Sequence, residues 1–148
     1  MIRKTNMLAG LLAASAFSIL TATAALSQQP DDNRLDEAWR DALEDFEGVV
    51  TPQQQAQLTL LAHQAAVARV CDGFKLNLDK YAKGVNEIIL SNADKLDAQQ
   101  KLARHTNILL TLGTTYGLFL AEGNAKKESF CKAAADDKKD AGFVSVWE

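Results

Sequence analysis

At 148 residues with a formal charge of −3, the chain is long enough for one domain with a real core and too acidic for a nucleic-acid binder, which needs a basic face to neutralise phosphates. Its two cysteines lack a Cys-x-x-Cys spacing, which argues against a thiol oxidoreductase. No Gly-x-Ser-x-Gly, His-Glu-x-x-His or glycine-rich phosphate loop supports hydrolysis or phosphate chemistry, so a non-enzymatic protein without a resident cofactor is expected.

Arg3 and Lys4 precede an apolar run from Met7 to Leu20, and small residues follow as far as Ser27. This pattern predicts a secretory signal at 1–27, cut between Ser27 and Gln28, with Ala22-Thr-Ala24 as a second candidate site. No cysteine lies near either site to carry a lipid anchor. Removing Arg3 and Lys4 leaves 14 bases against 19 acids, a balance of −5, in a protein expected to be periplasmic or secreted.

Residues 28–50 are expected to form an acidic amphipathic segment. Leu35, Trp39, Leu43 and Phe46 are spaced as one apolar helix face that ends near Gly48, and the segment from Asp31 to Glu47 holds eight acids and two arginines. A free arm and a docked helix both remain open.

The domain proper is expected at 51–148. Thr51-Pro52-Gln53-Gln54 is a helix start, with a threonine cap, proline at the first helical position and a glutamine able to return a bond to the cap. The helix is expected to reach about Asp72, with Leu60, His63, Val67, Val70 and Phe74 on one stripe and Gly73 breaking or bending it. A further helix from about Lys75 to Leu90 would bury Leu78, Tyr81, Val85 and Ile88, before a turn at Ser91-Asn92.

Asp97 and Gln100 form a second capping box that opens the longest helix, expected to run from about Ala98 to Glu122 and to end at Gly123. One stripe holds Leu102, His105, Leu109, Leu112, Tyr116 and Phe119; beside it run Thr106, Leu110, Gly113, Gly117 and Leu120. Two apolar stripes predict a central helix covered on more than one side. Its uncharged run, Thr106 to Ala121, is sixteen residues long and carries four threonines, whereas a spanning helix needs about twenty apolar residues. No membrane association is therefore expected after signal cleavage, and Gly113 and Gly117 are read as a flat patch for close helix packing.

A last helix, from about Lys126 to Lys139, contains Phe130, Cys131, Ala134 and Ala135, with its lysines on a solvated face. The tail Gly142 to Glu148 is apolar enough to dock on the core. An even cysteine pair in an exported chain predicts a Cys71–Cys131 disulfide. An up-and-down order brings the end of the Thr51 helix beside the start of the last one, so the disulfide and topology agree. The expected fold is all-α: a small up-and-down four-helix bundle with an extra N-terminal amphipathic helix and one disulfide.

The only two histidines, His63 and His105, lie on apolar stripes of helices expected to run parallel, with a height difference of roughly 6 Å. Such a pair could ligate haem or share a metal, although no haem-attachment motif or third ligand accompanies it and no metal site is expected. The favoured function is a protein-interaction or stress-related module with a protein partner. One alternative is an acid-activated periplasmic chaperone, because discharging the Asp31–Glu47 acids and charging buried histidines would both loosen the fold. The other alternative is a haem- or metal-binding bundle using His63 and His105.

Overall fold

The computed structural model describes residues 32–45 and 50–148; the expected signal segment and Phe46 lie outside them. The described chain is helical, with no strands, and comprises α1 (Asp32–Asp45), α2 (Pro52–Val70), α3 (Leu78–Leu90), α4 (Ala98–Ala125) and α5 (Lys127–Asp137). A short 3-10 turn, Ala93–Lys95, joins α3 to α4. Cys71 and Cys131 are disulfide-bonded, with Cα atoms 5.5 Å apart.

Local chemistry sets most helix starts. The Thr51 hydroxyl accepts from Gln54 N at 3.2 Å, and the Gln54 side chain accepts from Thr51 N at 3.0 Å. Asp97 and Gln100 repeat this reciprocal arrangement at 2.8 and 3.0 Å. These bonds satisfy amides that have no partner inside a helix. Asn77 caps α3 by accepting from Lys80 N, so the helix begins at Leu78, three residues later than the expected start near Lys75. α2 ends at Val70, where Cys71 turns to extended backbone at φ −104°, ψ 132°; Gly73 then takes φ +82° in the turn that follows, and Phe74 to Asn77 stay non-helical until α3 begins.

Contacts at three heights fix the order of α2 and α3. Leu76 pairs with Trp147 of the tail, Gly84 lies against Leu61, and Gln54 donates to Ser91, so α3 descends as α2 rises. Arg104 then bonds the last α3 carbonyls: Nη2 donates to Ile88 O and Ser91 O at 3.1 Å, and Nε donates to Ile89 O at 3.4 Å. A guanidinium at a helix C-terminus both supplies donors and opposes the negative dipole end. At the far end of α4, Gly123 lies against Val70 and Phe130. α4 therefore rises beside α2, its principal neighbour.

The core has two parts. The lower part is built from Leu58, Leu61, Val85, Ile88, Ile108 and Leu112, and the upper from Val67, Cys71, Phe130, Ala134 and Trp147. The tail docks as expected, and Trp147 is only 2% exposed. Phe74 meets its ring edge-on at 4.7 Å, Phe143 stacks at 5.5 Å, and its Nε1 donates to Gln64 O at 2.9 Å.

Several expected faces are rotated. Leu78, predicted to be buried, is 71% exposed, because Asn77 caps α3 and Leu78, its first residue, faces outward. On α2 the buried line runs through Leu58, Leu61, Ala62 and Gln64, leaving Leu60 and His63 at its edge. α4 buries Ile108, Thr111, Leu112 and Thr115 while Leu102, His105 and Leu109 face outward, so it is not covered on both predicted stripes. The threonines are tolerated inside because a helix carbonyl can serve the hydroxyl: Thr111 Oγ1 donates to Asn107 O at 2.9 Å.

Candidate functional site

The two histidines do not meet. His63 contacts the ring of Phe119 at 4.9 Å, and Phe119 lies fourteen residues beyond His105 on α4, about 21 Å along the axis. The expected His63–His105 pair fails because His63 lies beside the upper half of α4, not beside its start. His105 is exposed near the bottom, in a shallow hollow with Leu90, Leu102 and Arg104. Among the described residues no group of three or more His, Cys, Asp or Glu could hold a metal ion.

His63 instead belongs to an aromatic row that ties four helices together. Trp39 of α1 meets Phe119 of α4 at 4.8 Å, Phe119 meets His63 of α2 at 4.9 Å, and His63 meets Phe130 of α5 at 5.2 Å, all edge-on. Edge-to-face packing matches the positive rim of one ring to the negative face of the next. Burial among these rings pushes the His63 pKa down from its usual value, and the charge of Asp137 on α5 opposes the shift. The row also docks α1: Trp39 and Ala42 turn inward while Asp36, Glu37, Asp41 and Glu44 stay exposed.

Gly113 and Gly117 hold nothing close. A Cβ at either position would meet no atom within 4 Å, so the predicted helix-packing patch has no occupant among the described residues. They lie on an uncharged outer face of α4 with Leu102, Thr106, Leu109 and Leu110. Leu102 is 66% exposed and Leu110 63%. Residues 102 to 117 span about 23 Å at 1.5 Å per residue, and Leu90 of α3 extends the face at its lower end. A connected apolar face of this length differs from leucines scattered singly over a surface, which need no explanation. No helix among the described residues is long and apolar enough to cross a membrane.

A second concave region lies on the other side of α2. A cleft of about 930 Å³ runs between α2, α3 and the tail, floored by Leu60, Leu61, Ile88 and Val146 and edged by Lys80 and Lys83. Two buried glutamines reach it, both holding the fold together. Gln64, with no exposed surface, accepts from Val146 N at 2.7 Å and donates to Val144 O at 3.0 Å, which fixes the tail. Gln54 links the α2 cap to Ser91 at 3.1 Å.

Neither Gln64 nor Arg104 is singled out by the sequence reading. The available signal for Gln64 is its place three residues after Leu61, within the inward face of α2. Compared with known protein families, with curated proteins and with solved structures, the chain matches none.

Proposed function

We propose that this is an exported, non-catalytic interaction protein: an up-and-down four-helix bundle, residues 51–148, preceded by an acidic amphipathic helix and acting in the periplasm or outside the cell. The observation that carries the reading is the uncharged outer face of α4, where Leu102, Leu109 and Leu110 flank two glycines with open space above them. A glycine inside a helix costs about 1 kcal/mol in propensity relative to alanine. Nothing packed on Gly113 or Gly117 within the described fold offsets that, whereas an apolar helix from a protein partner would.

A photo-crosslinking residue at Leu110, compared with one at Lys132 on α5, tests this in exporting cells. The expected result is a discrete protein adduct from position 110 only, lost in a Leu102→Glu background whose near-ultraviolet circular dichroism is unchanged. Equal labelling from both positions would refute it. N-terminal sequencing of the exported protein should begin at Gln28.

The acid-activated chaperone is the second reading, and His63 favours it. A neutral imidazole packed between Phe119 and Phe130 disfavours protonation in the folded state, so acid selects chains in which this row has opened. Suppression of client aggregation at pH 4, absent at pH 7, is the expected result.

A further inference from the structure

The cleft between α2, α3 and the tail has a chemistry distinct from the α4 face. Its floor is apolar, formed by Leu60, Leu61, Ile88 and Val146, and its volume of about 930 Å³ lies within the range of small-molecule sites. Its lining on the α3 side runs from Lys80 to Ser91, about 16 Å at 1.5 Å per residue. The lip on α3 carries Lys80, Lys83 and Glu87, a net charge of +1. Lys80 has no ion pair among the described residues, and Lys83 is 3.9 Å from Glu87 with both side chains largely in water. At that separation and exposure Glu87 holds Lys83 weakly.

Hydrogen-bonding capacity points the same way. An extended peptide adding to the tail fits less well, because three successive backbone amides are taken. Val146 N donates to Gln64, Trp147 N to Ser145 Oγ, and Glu148 N to Lys75 O.

We propose that this cleft binds a single-chain anionic amphiphile, with its apolar chain along Leu60, Leu61 and Ile88 and its carboxylate at Lys80 and Lys83. The floor removes the chain from water, and the two ammonium groups select the sign of the head.

Titration calorimetry of the purified protein with dodecanoate, below its micelle concentration, tests the proposal. One site with a Kd on the order of 10 μM is expected, in keeping with a ligand of this size. Decanoate should bind more weakly, by up to about fourfold for each methylene removed. Dodecyltrimethylammonium should bind at least about tenfold more weakly than dodecanoate, since it places a cation beside two lysines. The Lys80→Glu/Lys83→Glu variant, altered only at exposed α3 positions, should keep its circular dichroism and lose at least about tenfold in dodecanoate affinity. Lack of saturable binding, equal affinity for the two heads, or unchanged affinity in the variant would each overturn the proposal. So would an apolar acidic peptide that binds the cleft when dodecanoate does not. A failed α4 crosslink leaves these outcomes unaffected, because Lys80, Lys83 and Leu60 are not on that face.

Discussion

Gly123 and Gly117 lie six residues apart on one helix and have opposite surroundings. A Cβ at Gly123 would come within 3.0 Å of two Phe130 ring carbons and 3.3 Å of Val70, whereas one at Gly117 would meet nothing within 4 Å. Gly84 resembles the first, since a Cβ there would lie 3.2 Å from Leu61, and Gly113 the second. The first pair lets neighbours approach inside the domain; the second leaves an uncovered face. The same residue type at helical spacing thus records either finished packing or a surface without a neighbour, and only its surroundings distinguish them.

The upper end, where Gly123 lies, is held by the tail, the disulfide and the aromatic row, so the largest effects are expected there. Trp147→Ala removes the ring between Phe74 and Phe143 and the Nε1 bond to Gln64, and should cost about 3–5 kcal/mol, read from urea unfolding monitored at the remaining Trp39. A loss below about 1 kcal/mol would mean that the tail is not part of the core.

Cys71→Ala with Cys131→Ala opens a loop closed across 60 residues. The chain-entropy account gives a loss of about 4 kcal/mol. Mass spectrometry of the exported native protein should first show one disulfide and no alkylatable thiol.

The glycines test the comparison directly. Gly123→Ala should destabilise by about 1–3 kcal/mol, because the Phe130 ring sits between α4 and α5 and has little room to yield. Gly113→Ala and Gly117→Ala should each stabilise the isolated domain by up to about 1 kcal/mol through helix propensity. If either exposed variant destabilises it instead, that face is covered in the isolated protein.

The smallest expected effect is conditional on pH. The folded His63 pKa lies below its value in the unfolded chain, so the unfolded chain takes up the proton first as pH falls. The stability contributed by neutral His63 is complete above about pH 6.5, declines below that, and levels off once the folded pKa is passed. Urea midpoints at pH 7 and pH 5 should therefore fall further apart in the unaltered protein than in His63→Gln. Equal shifts would remove His63 from the acid response. His105→Gln, on an exposed position, should stay within about 0.5 kcal/mol of the unaltered protein.

Local rules were legible in the chain. The capping boxes at Thr51 and Asp97 form as their sequences require, because each joins groups only three residues apart. The Cys71–Cys131 bond and the docking of the Trp147 tail follow from composition and helix order. Tertiary structure decided the phase of each helix. α4 is uncharged nearly all round from Thr106 to Ala121, so apolar spacing alone gives several equivalent faces, and its threonines can turn inward by bonding their own helix. The site residues escaped for the same reason. Gln64 is a latch only because the tail returns eighty residues later to meet its amide, and His63 and His105 stand apart because α2 aligns with the upper part of α4. Spacing along a helix is a local property; which face it turns to its neighbours depends on what the rest of the chain brings alongside.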